Sequence, residues 1–263
     1  MQEGSQRPKW PWILVAVLIM VGILGAIGVM RWGQASDAEF KALMDDQARK
    51  ILKAAIRAKG GLANIANIKD ITVKSKSKLF SAEGEPEVQI TLYIKVPDKL
   101  RYIESAQGQE GIMVVNGDQG WLKRRDSIQE LPIEVVRSLK WQIQNNDDFI
   151  FLKVKQPDYQ FKYVGTRALN ETRADVIQMI DPAGNEMTLY LDTKSHHLVK
   201  LVRQGSPAEG QIEALFSDYR KLGGVMTPFH SKEFRGGQLV SETQILEAKF
   251  NSGLSDDLFK KPE

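Results

Sequence analysis

Hydrophobic positions change their spacing twice along this 263-residue chain, and each change marks a different kind of structure. The first stretch has no period at all: Pro11 to Met30 is a run of twenty residues without a charge, eleven of them Ile, Leu or Val. At about 1.5 Å per residue a helix of this length spans about 30 Å, the thickness of a bilayer's hydrocarbon core. Trp10, Trp12 and Trp32 stand at its two ends, where amphipathic rings favour the head-group region. The pattern predicts a cytoplasmic stub over residues 1–9 and one transmembrane anchor over 10–32. Arg7 and Lys9 precede the run, while Asp37, Glu39, Asp45 and Asp46 follow Arg31, so the bias of basic residues puts the N-terminus in the cytoplasm and residues 36–263 on the far side. A cleaved signal peptide is the competing reading, with Gly33-Gln34-Ala35 as a small-x-small site. The apolar run is longer than the roughly 7–15 residues of a signal core and ends in Arg and Trp, which favours the anchor.

Helical spacing takes over next. Ser36 and Glu39 form a capping box. Phe40, Leu43, Met44, Ala48, Ile51, Leu52, Ala55 and Ile56 then recur at intervals of three and four up to Lys59, and Gly60-Gly61 ends the helix. Leu62, Ile65 and Ile68 predict a short second helical turn on the same side.

From Asp70 the period drops to two. Val88, Ile90, Leu92, Ile94 and Val96 fall on one face of a strand, with Glu87, Gln89, Thr91, Tyr93 and Lys95 on the other. Comparable strands read at about 100–105, 110–115, 119–124, 158–166, 173–181, 185–191, 197–204, 210–219, 228–235 and 239–250, separated by turn signals such as Asn116-Gly117-Asp118, Gly223-Gly224 and Gly236-Gly237. One interruption stands out: residues 130–151 lose the alternation and carry Leu131, Val135, Val136, Leu139, Trp141, Ile143, Phe149 and Phe151 on a helical or mixed pattern. The expected class is α+β, a single exported domain over 36–263 built from one large antiparallel meander, strongly curved or nearly closed, with two helical elements packed on it.

Charge and chemistry narrow the function. The chain has 36 basic and 33 acidic residues, a net charge of +3, with no clustered basic stripe, so nucleic acid is not an expected partner. Lys74, Lys76 and Lys78 share one strand face and read as its solvated side. There is no cysteine, hence no thiol nucleophile, no disulfide and no lipid-bearing cysteine. His196 and His197, placed on a strand, would point to opposite faces, which is wrong for two ligands of one metal. His230 stands apart from both. Gly223-Gly224 lies between strands rather than before a helix, so it is no phosphate loop. Asp147-Asp148 and Asp256-Asp257 read as turn or helix-cap residues. No enzyme activity, metal or cofactor is therefore expected.

What remains is apolar surface inside a curved sheet. Val88, Ile90, Leu92 and Ile94, together with Ile177, Met179, Leu189 and Leu191, are the candidate lining of a ligand trough, with Trp121 and Trp141 at its rim or floor. The inserted helix could instead fill that space completely, and the residues alone leave the two alternatives level.

Over roughly residues 45–262 the pattern resembles the LolA/LolB-like superfamily of bacterial lipoprotein carriers. The resemblance is carried by the first helix running into Gly60-Gly61-Leu62, VVNGDQGWL at 114–122, LYLDTKSHHLVKL at 189–201, SDYRKLGGVMTPF at 217–229 and DDLFKKP at 256–262. It implies an unclosed antiparallel half-barrel with helices on its concave side, sheltering acyl chains of a lipid or lipoprotein. It also implies a bacterial inner-membrane protein whose bulk is periplasmic and which handles envelope lipid or lipoprotein. The alternative role within the same resemblance is a non-catalytic scaffold or envelope-stress regulatory subunit that docks an envelope protein partner. A peptide anchor in place of a diffusing chain is a departure, and it points to a tethered acceptor, relay or sensor rather than a shuttle.

Overall fold

Fourteen strands join in a single sheet in the computed structural model, which describes residues 40–263 apart from 83, 146, 148, 170, 171 and 206–209. The expected anchor at 10–32 and the Ser36–Glu39 capping box lie outside the described residues. Among the described residues no helix is long and apolar enough to cross a membrane.

In chain order the elements are β1 (Leu43–Met44), α1 (Asp46–Lys59), α2 (Leu62–Ala66), β2 (Asp70–Leu79), β3 (Glu87–Lys95), β4 (Lys99–Ala106), β5 (Gln109–Asn116), β6 (Gln119–Arg124) and β7 (Ser127–Glu130). A helical segment follows, α3 (Ile133–Gln144) and a 3-10 turn at Ile150–Lys155. The second run of strands is β8 (Gln160–Leu169), β9 (Thr172–Ile180), β10 (Glu186–Asp192), β11 (Leu198–Gln204), β12 (Gln211–Leu222), β13 (Val225–Arg235) and β14 (Gln238–Phe250), with a closing 3-10 turn at Asp256–Phe259. Each run is an antiparallel meander. The two are fused where the last strand, β14, pairs along β2, the first long strand, from Ser241↔Leu79 to Phe250↔Ile71. The sheet stays open, its outer strands being β1 and β7.

The start of the first helix corrects the sequence expectation. It begins at Asp46, not at Ser36, because Asp45 takes the capping role: one carboxylate oxygen accepts from the Ala48 N–H at 2.8 Å and the other from the Tyr163 N–H at 2.9 Å. The second bond ties the cap to β8. Leu43 and Met44 are thereby drawn out of the helix to pair in parallel with Gln160 and Phe161, which makes an otherwise antiparallel sheet mixed. The same hydrogen bonds, that from Ala48 foremost, hold the Asp45 carboxyl below its ordinary range. The other end of the helix fits the sequence: Gly60 has φ of +116°, and its N–H and that of Gly61 close on the carbonyls of Arg57 and Ile56. A Cβ at Gly60 would meet the Gly224 carbonyl oxygen at 2.2 Å, so glycine is needed there for close approach as well as for φ.

Burial sorts the sheet into two faces. The inner face and the stripes Ala48, Ile51, Leu52, Ala55, Ile56 of α1 and Val136, Leu139, Ile143 of α3 form one continuous apolar cluster. The outer face carries a small separate cluster, Ile112, Val114 and Phe259, where the C-terminal turn docks and Lys95 and Lys99 pair with Asp256. Lys74, Lys76 and Lys78 are exposed on β2 and pair with Glu247, Glu87 and Glu85, a solvated face as expected. Exposed pairs of this kind contribute roughly 0–1 kcal/mol each, so the fold rests on the inner cluster.

Asp45→Ala is expected to lower stability by about 1–2 kcal/mol, since it removes a helix cap and a strand tie together. Asp45→Asn should recover much of the loss. Urea unfolding followed by circular dichroism checks both; equal stability of wild type and Asp45→Ala would deny the cap its role.

Candidate binding site on the inner face

Cross-strand register sets out the first half of the inner face in rows. The first row is Ile71, Ile94, Leu100, Val115 and Gly120, running from β2 to β6. The second is Val73, Leu92, Tyr102, Met113 and Leu122, and the third Ser75, Ile90, Glu104, Gly111 and Arg124. Beyond it Thr243, Ser77 and Val88 begin a fourth. Directly opposed residues share a face and successive rows are about 7 Å apart. The face therefore grades along the strands from wholly apolar to charged and hydroxyl-bearing.

Eight of the ten predicted lining residues meet in one cluster on this face. Val88, Ile90, Leu92 and Ile94 come from β3, and Ile177, Met179, Leu189 and Leu191 from β9 and β10; all are 0–2% exposed. They are brought together from opposite halves of the sheet and covered by the helices. Trp141 joins them from α3, half-buried, with the Arg203 guanidinium 5.8 Å above its ring. Trp121 does not. It alternates with Leu122, and because Leu122 takes the inner face, Trp121 packs outside with Ile112, Val114 and Phe259.

α3 sits on the apolar end. Gly120 lies beneath it, and a Cβ there would come within 2.8 Å of Val136 and 2.9 Å of Leu131. At the rim Lys140 of α3 pairs with Asp118 at 2.6 Å. The segment after α3 contributes Asp147, which forms a buried pair with Lys59 at the end of α1 at 3.4 Å. Lys153, in the following turn, is desolvated until its amine titrates at about 8, while burial pushes the neighbouring Tyr159 up to about 12.

Several polar residues of the inner face escape a sequence reading. Tyr102 and Glu104 alternate with Leu100 on β4 in a period-two signal, yet only the burial of Glu104 separates it from a solvated carboxylate. The Tyr102 hydroxyl donates to the Glu104 carboxylate at 2.9 Å. Burial raises the Glu104 carboxyl, opposed by that hydrogen bond and by the charge of Arg124.

The adjacent histidines differ from expectation in place: they stand in a turn rather than on a strand. His196 and His197 lie in the β10–β11 turn, His196 at φ of +60°, and His197 stacks on Tyr219 at 4.3 Å. Burial and the charge of Lys59 lower the His197 pKa. His230 bonds Ser217 and Glu242. Among the described residues no group of three His, Cys, Asp or Glu could hold a metal ion. Asp256 and Asp257 open the C-terminal 3-10 turn, capped by Ser255, as turn residues should. Of the Asp147-Asp148 pair, Asp148 lies outside the described residues.

No protein-family model and no curated protein matches the chain. Solved structures do. A DUF1329 family protein from Desulfovibrio piger superposes with a TM-score of 0.56 at 12% identity, over 82% of this chain and 98% of its own. An outer-membrane lipoprotein-sorting protein domain from Vibrio parahaemolyticus gives 0.54 at 14% identity, over 81% and 97%. A LolA superfamily protein from Nitrosomonas europaea gives 0.54 at 13% identity, over 81% and 97%. The chain thus shares the fold of LolA-superfamily and lipoprotein-sorting domains, which is the resemblance its sequence carries.

Gly120→Ala is expected to destabilise the domain by about 1–3 kcal/mol, because Val136 is a buried helix residue with no room to retreat. Thermal unfolding of the variant checks this; an unchanged melting temperature would show that α3 is not seated on β6.

Proposed function

We propose that this protein is a membrane-tethered, exported binding domain that takes up an acyl chain of a lipid or lipoprotein beneath α3, without catalysing a reaction on it. The observation that carries the reading is the cover of the apolar rows. α3 is held over Gly120 chiefly by the apolar contacts of Val136, Leu139 and Ile143, with one ion pair at its rim. Apolar contact is non-directional, so an acyl chain can replace the helix stripe on the same surface. Uncovering three such side chains costs roughly 5–9 kcal/mol, and burying a sixteen-carbon chain at about 0.8 kcal/mol per methylene returns about 12 kcal/mol. The balance favours exchange for a long chain and opposes it for a short one. On this reading α3 is a lid and the solid core is the empty state of the trough. The fold shared with lipoprotein-sorting domains supports the same reading.

The uncharged run at 11–30 and its flanking charges support a tether with the domain on the far side of the membrane, and the likeness to lipoprotein-sorting domains supports a bacterial inner membrane and periplasm. A tethered trough cannot ferry its ligand between membranes, so the role is that of an acceptor, relay or sensor of envelope lipid.

A disulfide lock tests the lid. The Val136 methyl that a Gly120 Cβ would meet at 2.8 Å is one bond from the Val136 Cβ, which places the two Cβ positions within about 4.3 Å, inside the range a disulfide bridges. With no native cysteine to interfere, oxidised Gly120→Cys/Val136→Cys should lose bound lipid in native mass spectrometry of the full-length chain, and reduction should restore it. Equal lipid in the oxidised and reduced forms would refute the lid. The tether has its own test: the full-length chain is expected to stay with membranes after carbonate extraction, carrying residues 1–35. A soluble product that starts near Ser36 would show a cleaved leader instead.

A further inference from the structure

The third row of the inner face holds an unmatched charge. Arg124 is half-buried at the end of β6, and its Nε and one Nη are sealed from solvent with no hydrogen-bond partner. Leaving guanidinium N–H groups dry and unbonded costs on the order of 1–3 kcal/mol or more, so their retention calls for an explanation. The one carboxylate in the row does not satisfy them. Glu104 stands two strands away, its carboxylate engaged by the Tyr102 hydroxyl, and it feels the charge of Arg124 without bonding to it. Between them is Gly111, which puts no side chain on the face. Two strand spacings are about 10 Å, too far for Glu104 and Arg124 to bond directly across Gly111, which is itself buried. Ser75, whose hydroxyl is also buried without a partner, is four spacings or about 19 Å from Arg124 and cannot share one group with it.

We propose that Arg124 is the seat for the anionic head of a single-headed amphiphile, a carboxylate or phosphate borne on the acyl chain that lies along the two apolar rows. This rests on the reading of the inner face as an acyl site and adds the polarity of the ligand to it. The guanidinium fork matches carboxylate and phosphate oxygens two at a time. The apolar first row, under α3, lies two row spacings or about 13 Å along the strands from Arg124, so head and tail of one molecule meet surfaces of their own kind. Glu104 opposes the anion and sets how tightly it is held.

Decanoate, decyl phosphate, decanol and inorganic phosphate distinguish the possibilities, each titrated calorimetrically into the full-length protein held in amphipol, with empty amphipol as the blank. Decanoate and decyl phosphate are expected to bind at least tenfold more tightly than decanol. Arg124→Met should bring both down to the level of decanol and leave decanol unchanged. It should also fold at least as stably as wild type, since it removes an unbonded buried cation. Glu104→Gln should tighten both anions several-fold, a gain that misfolding cannot imitate. Equal binding of the three ten-carbon probes, or an anion preference that survives Arg124→Met, overturns the anionic seat and leaves the acyl trough standing. Inorganic phosphate binding as tightly as decyl phosphate overturns the amphiphile. Failure of all three ten-carbon probes moves the same comparison to hexadecanoate and hexadecanol, for which exchange with the cover is favourable, and failure of these too overturns the acyl reading and this assignment with it.

Discussion

An open sheet of fourteen strands has an apolar inner face that closure into a barrel would have hidden, and everything else in this molecule follows from the need to cover it. Side chains on the sheet cannot do so alone, because the two meanders diverge from their shared β14–β2 seam. The cover comes from α1 and α2 ahead of the sheet and from α3 with its following turn between the meanders. The two sets are attached differently. α1 is fixed at both ends, by the Asp45 bonds to its own helix and to β8 and by the close approach of Gly60 to Gly224. α3 has no side-chain cap at its start and rests on Gly120 by shape. That difference in attachment is what the proposed exchange of α3 for an acyl chain rests on.

The open edges raise a second constraint. Unpaired strand edges invite association with other chains. Here β7 has four residues and β1 two, the shortest strands in the sheet, and β1 is held by the Asp45 bond to Tyr163 together with backbone bonds from Lys41, Ala42 and Leu43 to Val154 and Tyr159. The tie that starts the first helix therefore also shields the start of β8. Polar groups of the first meander's inner face gather at the end of the strands away from α3. There the hydroxyls of Ser77 and Thr243 satisfy each other at 2.9 Å, whereas Arg124 stays unmatched. That contrast within a single region is the observation on which the proposed anionic seat rests.

Much of this architecture is legible in the sequence because strand pairing in a meander is local. Turn residues such as Asn116-Gly117 and Gly223-Gly224 stand where the chain reverses, and the period of two assigns faces strand by strand, so the strand positions and the burial of Val88, Ile90, Leu92, Ile94, Ile177, Met179, Leu189 and Leu191 follow from the chain itself. The failures share one cause. Trp121 and Leu122 are both apolar, so alternation alone cannot say which of them faces inward; the docking of Phe259 on the outer face settles it. Phe40, Leu43 and Met44 continue the helical period of α1 on paper, and the Tyr163 N–H, 118 residues beyond Asp45, helps set the helix start at Asp45 instead.

The sequence by itself determined the elements, the period that gives each strand two unlike faces, the long uncharged run at its start and the absence of any thiol, since these depend on neighbours within a few residues. Only the tertiary structure decided which face is inner, where the first helix begins, and that Glu104, Gly111 and Arg124 stand in one row. Those facts depend on register between strands and on what packs above them. A guanidinium and a carboxylate look solvated in any local window, and only the covered sheet takes the water away from them.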